Sequence, residues 1–332
     1  MAKRIVYFNN KGGVGKTTLV YHTAWMLAEL GYKVLVADFD PQTNLTAMFL
    51  PQARLEEVFL IEENKSTIID SISSVIDGDA YRPVHIEHIS NDILGSISLL
   101  IGNLSLSTYE DKLSNTWLSC LDGDVYSFKV TSVFDTLLTD AANKTQSDYV
   151  LIDIGPNLGA INRSVLIACD YVILPVASDL FSLQGIKNLG QTLKSWKEQW
   201  KDRTNRNFKP SNIRLPNGQM KALGYIYMQH TARESKPVKA YLRWTNKIPA
   251  TYQKYILQED TTKENTEIID DNNCLGILRH YHSLMPLAME ARKPIFLLKP
   301  ADGAIGSHYQ AVQQVYKDFE KVTKQIIIAC EQ

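Results

Sequence analysis

Two lysines stand five positions apart in the stretch NNKGGVGKTT, Lys11 at its mouth and Lys16 directly before Thr17 and Thr18. Gly12, Gly13 and Gly15 surround Val14 between them, and an apolar run precedes the stretch. A glycine-rich string between a strand and a helix brings backbone N–H groups together on an anion, and the helix dipole favours the negative charge. Glycines there permit close backbone approach and dihedrals that a side chain would block. In such a loop Lys16 reaches the β- and γ-phosphates of a nucleotide, and the Thr17 hydroxyl ligates Mg2+. The ordinary pattern, G-x-x-x-x-G-K-[ST], would place its first glycine at position 10, where this chain has Asn10. One lysine suffices for such a loop, so Lys11 requires a separate account.

Carboxylates supply the second half of the chemistry. Asp38 ends the run VLVAD and Asp40 follows it, just before Pro41, while Asp153 closes the apolar run VLI. Open α/β sheets bind ligands at the carboxyl ends of their strands, which is where these three groups fall. A carboxylate buried there without a cation is costly, so Asp153 is a candidate for holding Mg2+.

These residues must be positioned by a scaffold of short apolar, β-branched runs alternating with helical patterns. Strands are expected at IVYF (5–8), VLVA (34–37), ISLLI (97–101), VLI (150–152), VILPV (172–176), LGYIYM (223–228), LGIL (275–278) and IFLL (295–298). Continuous apolar strands with helices between them indicate a doubly wound α/β fold, with a mainly parallel twisted sheet covered on both faces. Residues 17–30 read as a helix that is apolar nearly all round and is stopped by Gly31. Ile186, Leu189, Leu193, Trp196 and Trp200 recur at spacings of three and four, which places both tryptophans in the core and Lys187, Lys194, Lys197 and Lys201 opposite. A last helix is expected over about 307–328. One domain spanning 1–332 is expected, with insertions or long loops around 50–95 and 202–219.

Composition narrows the class. The chain has 332 residues, 45% hydrophobic and 21% charged, as in soluble globular proteins. No run approaches the roughly 18 apolar residues of a membrane helix, and the first residues enter a strand with no signal-peptide core, so a cytoplasmic protein is expected. Because that strand starts near residue 3, no DNA-reading module is expected before the loop. Cys120, Cys169, Cys274 and Cys330 form no C-x-x-C pair, which argues against a zinc site or redox dithiol.

The net charge of −1 conceals a separation of sign. Residues 187–247 hold 14 Lys and Arg against three acids, a local balance of +11 that leaves −12 for the remainder. Such a distribution points to a polyanionic partner. Ser235 and Pro237 start a helix that Pro249 is expected to end. Lys236, Lys239, Arg243 and Lys247 form one stripe along it, close in sequence to Arg203, Arg206, Lys209 and Arg214. Like charges at these spacings cost about 0.2–0.5 kcal/mol per pair.

The segments KGGVGKTT, VADFDPQTNLT, YVLIDIGPNLGAINRSVL, VILPVASDLFSLQG and, more weakly, EARKPIFLL resemble the ParA/Soj-like branch of deviant Walker-A ATPases, whose wider superfamily includes MinD and the nitrogenase iron protein. The resemblance spans almost the whole chain. It implies a P-loop NTPase fold of the SIMIBI type and an ATP- and Mg2+-dependent hydrolase that forms a homodimer on binding ATP. Lys11 would then reach the nucleotide of the partner subunit like an arginine finger, a device that contributes about 10³–10⁵ in rate in other hydrolases. The same resemblance implies that Asp40 orients the attacking water, that Asp38 supports the magnesium shell, and that Asp153 is the Walker-B carboxylate. It further implies binding of non-specific DNA, with the basic stripe as the candidate surface, slow hydrolysis stimulated by a partner protein, nucleoid association, and a task in partitioning or positioning cargo. QHTAR (229–233) and HYH (280–282) fall near the expected adenine site, although the second departs from the family's Pro-Arg-Asn string, and Tyr281 is a candidate for stacking on the base. Gly155 stands where the family usually has proline, a departure expected to loosen the loop after Asp153. The alternatives are a MinD-like membrane switch, for which the tail KQIIIACEQ lacks a basic amphipathic character, and a metabolic electron donor or ligase, for which Cys120 and Cys169 lack a cluster-binding pattern.

Overall fold

The computed structural model describes residues 1–61, 66–89, 93–205, 213–229, 244–260, 266–279, 281 and 284–332. In chain order the elements are β1 (Lys3–Tyr7), α1 (Lys16–Glu29), β2 (Lys33–Asp38), α2 (Asn44–Phe49), α3 (Gln52–Leu60), α4 (Ile68–Ile76), β3 (Glu87–Ile89) and β4 (Ser96–Leu100). Next come α5 (Glu110–Ser119), α6 (Val125–Thr131), α7 (Val133–Thr145), β5 (Tyr149–Asp153), α8 (Ala160–Ile167), β6 (Tyr171–Val176) and α9 (Leu180–Asn205). The chain closes with β7 (Lys221–Gln229), α10 (Ile248–Tyr252), β8 (Cys274–Arg279), α11 (Met285–Ala291) and α12 (Ser307–Glu331).

The strands form one sheet in the order β3-β4-β2-β5-β1-β6-β7-β8. Among the described residues, only the short edge pair β3–β4 is antiparallel. Side chains along β1 alternate between two cores. Ile5 and Tyr7 face α1 and α12, whereas Val6 and Phe8 face α7, α8 and α9, and all four are fully buried. Burial on both faces is why these strands read as continuous apolar runs rather than alternating ones. Trp196 and Trp200 of α9 are buried as the helical spacing requires, and Trp200 stacks on Trp117 with ring centroids 5.7 Å apart.

The run IFLL is not a strand: Ile295–Leu297 make a single 3-10 turn after Pro294. Its burial is achieved against α1 and α12, and the Ile295 amide donates to His22 Nε2 at 3.1 Å instead of to a neighbouring strand. Pro249 sits in the first turn of a separate helix, α10, where its missing N–H is no loss. Trp244 and Thr245 are helical and are followed by a turn at 246–247, while the rest of the stretch 235–243 lies outside the described residues. The stretch 50–95 carries α3, α4 and β3.

Candidate active site

The register of the central strands brings the site together. Tyr7 of β1 and Asp38 of β2 both pair with Asp153 of β5, so the end of the first strand and two carboxylates share one row at the carboxyl edge. Past β1 the chain turns through Gly13 and Gly15, with φ of 71° and 84°, and enters α1 at Lys16. A residue with a Cβ is strained in that left-handed region. No side chain caps α1 and no acid lies in its first turn, so its N-terminal N–H groups and dipole are left available to an anion. Gly12 and Gly13 are exposed, Val14 is buried beneath them, and the Thr18 carbonyl is engaged by His22 Nδ1 at 2.7 Å.

Lys16 lies inside this cradle, 8% exposed, with Nζ donating to the Asn9 carbonyl at 3.1 Å. Burial lowers its pKa, and the Asp153 and Asp40 carboxylates oppose that shift. Thr17 Oγ1 donates to Asp153 Oδ2 at 2.7 Å, while Asp153 Oδ1 is buried with no hydrogen-bond partner. Burial, and after it the charge of Asp38, raises the pKa of Asp153 well above the usual carboxylate range. A fully buried carboxylate with an orphaned oxygen, beside a threonine hydroxyl and a phosphate cradle, fits a divalent cation. Mg2+ is commonly held by one or two protein groups together with substrate phosphates and water, and among the described residues there is no cluster of three or more His, Cys, Asp or Glu that would form a closed metal cage.

Asp38 and Asp40 are set apart from one another. Asp38 is fully buried; its Oδ2 accepts from the Thr46 amide and hydroxyl, both at 2.8 Å, and its Oδ1 accepts from the Asp40 amide at 3.2 Å. The geometry therefore makes Asp38 a strut between β2 and α2 that also shapes the Asp40 turn. Burial raises its pKa, against the bonds from Thr46. Asp40 is 9% exposed, and its Oδ1 accepts from the Gln42 amide at 3.0 Å.

Lys11 is placed at the mouth, one-third exposed, with its amide on Asn9 Oδ1 at 2.9 Å. Its Nζ is paired with Asp179 Oδ2 of the same chain at 2.6 Å. Asp179 also accepts from the amide and hydroxyl of Ser182, both at 3.0 Å, at the start of α9. Burial alone would raise the pKa of Asp179, but the bonds from Lys11 and Ser182 outweigh it and hold the carboxyl below its ordinary value. Sequence reasoning gave no role to Asp179, nor to Asn9, whose Nδ2 ties the loop to the Pro175 carbonyl at 2.7 Å. It also missed Gly185, where an added Cβ would stand 3.0 Å from Asn10 Oδ1, so α9 can lie against the loop. The only advance signal was their occurrence within the quoted motifs.

The remaining candidates divide. Lys236, Lys239 and Arg243 lie outside the described residues, as do 230–233, His280 and His282. Lys247 is exposed, its Nζ 5.4 Å from the Trp244 ring centroid. Of the arginines near the basic stripe, Arg203 is buried, whereas Arg214 is exposed and pairs with a buried carboxylate. Arg203 is 4% exposed and donates to the Trp117 carbonyl at 2.8 Å, and Arg214 donates to the buried Asp135 at 2.8 Å. Tyr281 is half-buried, its hydroxyl on Asp318 Oδ2 at 2.7 Å and its ring near Phe319. The loop after Asp153 is not loosened by Gly155: Asn162 Nδ2 donates to the Gly155 carbonyl at 2.8 Å and to the Asn157 carbonyl at 2.7 Å. No helix among the described residues is long and apolar enough to cross a membrane.

Comparison with known proteins agrees with this geometry. The family described as AAA domain (AAA_31) matches residues 2–209. The chromosome-partitioning ATPase Soj of Treponema pallidum is 30% identical over 194 residues, 58% of this chain and 64% of Soj. The cell division protein PomZ of Myxococcus xanthus is 28% identical over 59% of this chain and 53% of PomZ. This chain thus spans less than two thirds of either relative. A putative plasmid partition protein of Borrelia burgdorferi, solved bound to AMPPNP, shares the fold with a TM-score of 0.58 at 18% identity, covering 99% of both chains. The chain belongs to this AAA domain family and, within it, to the ParA/Soj-like ATPases of the MinD/ParA superfamily.

Proposed function

We propose that this chain, acting as one unit over 1–332, is a hydrolysing switch. It would bind ATP with Mg2+, pair with a second copy across the nucleotides, attach to DNA without sequence preference, and separate after hydrolysis stimulated by a partner protein. The observation that carries the reading is the Thr17–Asp153 pair, with the free Oδ1 of Asp153, at the uncapped N-terminus of α1. In this reading the loop amides and Lys16 bind the phosphates, and Thr17 and Asp153 hold Mg2+, which supplies charge neutralisation for phosphoryl transfer. Asp40 accepts a hydrogen bond from the attacking water and orients it. Lys11 leaves Asp179 and places its ammonium on the partner's nucleotide, where negative charge accumulates. Pairing is supported by large apolar side chains left exposed beside the site, Leu158, Leu180 and Phe181, the last 73% exposed. The local charge of +11 over 187–247 supports a polyanion. The cargo task in the cytoplasm, on the nucleoid, is proposed from the kinship to Soj and PomZ.

Asp40→Ala tests the switch. The variant is expected to bind ATP and to remain paired on DNA, with turnover reduced at least about 100-fold. Its hydrolysis and its sedimentation with DNA are the two measurements, and wild-type turnover would remove Asp40 from the proposed role.

A further inference from the structure

Several peptides between Asp153 and the first turn of α8 are held. The Asp153 carbonyl accepts from the Phe39 amide at 2.9 Å, Pro156 fixes its own φ, and Asn157 Oδ1 accepts from the Gly159 amide at 3.1 Å. Glu110 of α5 receives the amides of Ala160 and Ile161. Gly155 and Gly159 have the widest intrinsic backbone freedom in this segment, and of the two it is Gly155 that stands against the Asp40 carboxylate: a Cβ built on it would lie 3.5 Å from Asp40 Oδ1. Whatever fixes Gly155 fixes the wall beside Asp40.

That constraint comes from Asn162, in the first turn of α8. The residue is 1% exposed, and the two hydrogens of its Nδ2 go one to the Gly155 carbonyl and one to the Asn157 carbonyl. A short primary amide is suited to this task. Serine and threonine offer one hydroxyl donor, and an ionised aspartate offers none. The side chain caps no N–H group of its own helix; it reaches backward over the loop.

We propose that Asn162 is a positioning residue for hydrolysis, locking Gly155 and Asn157 so that the loop braces Asp40, the constraint a proline ring at 155 would otherwise supply. This rests on Asp40 orienting the attacking water. The test uses the full chain, measuring kcat per folded molecule well below each variant's melting temperature together with the Kd for a fluorescent ATP analogue with Mg2+. Asn162→Ala is expected to lower kcat about 10- to 100-fold, as displacement of a positioning wall does, with Kd within about twofold of wild type. Asn162→Ser keeps one donor, should fall between the two, and serves if the alanine variant does not fold. Asp40→Asn is run beside them. The proposal is overturned if Asn162→Ala and Asn162→Ser melt earlier yet turn over like wild type while Asp40→Asn is inactive, or if kcat and affinity collapse together. Full turnover in Asp40→Asn instead overturns the reading of Asp40, and the proposal with it.

Discussion

In the proposed switch, Asp179 and the partner's triphosphate compete for the Lys11 ammonium, which in this structure is paired with Asp179. Each side chain is about one-third exposed, and the pair is 2.6 Å long. An ion pair so exposed is screened by solvent and is worth about 0–1 kcal/mol, weak enough for a triphosphate to displace. Asp179→Asn keeps the helix-capping geometry, because asparagine is an equally good N-cap, while it removes the charge that retains Lys11. The variant is expected to pair at an ATP concentration lowered by up to about fivefold, the equivalent of that energy, measured by light scattering; pairing that needs more ATP would contradict it. The contrast with Lys16 shows what the sequence discloses at this scale. Lys16, Thr17 and the glycines obey a spacing rule within ten residues, and Asp153 ends a strand, so their meeting at one site is legible. Asp179 is 168 residues from Lys11 and looks locally like an ordinary cap, so its second function needs the fold to become visible.

At the scale of elements, His22 joins the phosphate-loop helix to the carboxyl-terminal third of the chain. Its Nδ1 donates to the Thr18 carbonyl, its Nε2 accepts from the Ile295 amide, and its ring stacks on Phe319 of α12 at 4.9 Å. Burial lowers its pKa from 6.5 to about 4, against the bond to Thr18. The unfolded chain therefore binds a proton that the folded chain refuses between these values. The stability held by neutral His22 is complete above about pH 6.5 and is lost as pH falls toward 4, a loss of roughly 3 kcal/mol at about 1.4 kcal/mol per unit. Denaturant titrations across this window should show a shallower pH slope in His22→Gln than in wild type; equal slopes would assign the acid sensitivity elsewhere. The same joint explains why the run at 295–298 misled as a strand. Its apolar character was legible, and Ile295, Phe296 and Leu298 are buried, but the partner of its backbone, an imidazole 273 residues away, was not. Long periodic elements such as α9 and α12 were legible because helical spacing and a buried face recur over many turns.

For the whole molecule, topology does most of the positioning. With β1 between β5 and β6, and β5 between β1 and β2, the motifs that follow four adjacent strands meet at one edge of the sheet. The parallel architecture was readable from apolar runs separated by helices, and the family kinship from motifs in chain order. The charge separation was also readable, but not its division of labour: Arg203 sits in the run of basic residues and yet is buried on the Trp117 carbonyl, while the exposed Arg214 is tied to the buried Asp135. Composition counts charges without saying which face water. The central claim concerns what this edge does between two copies, namely that nucleotide occupancy and pairing are one variable linked through Lys11. The most direct measurement is molar mass in solution, by sedimentation, with a non-hydrolysable ATP analogue and Mg2+, for wild type and Lys11→Ala. The account predicts that both bind the analogue, that wild type doubles its mass, and that Lys11→Ala remains a single chain. A wild-type protein that stays single at saturation, or a Lys11→Ala variant that pairs equally well, would contradict it.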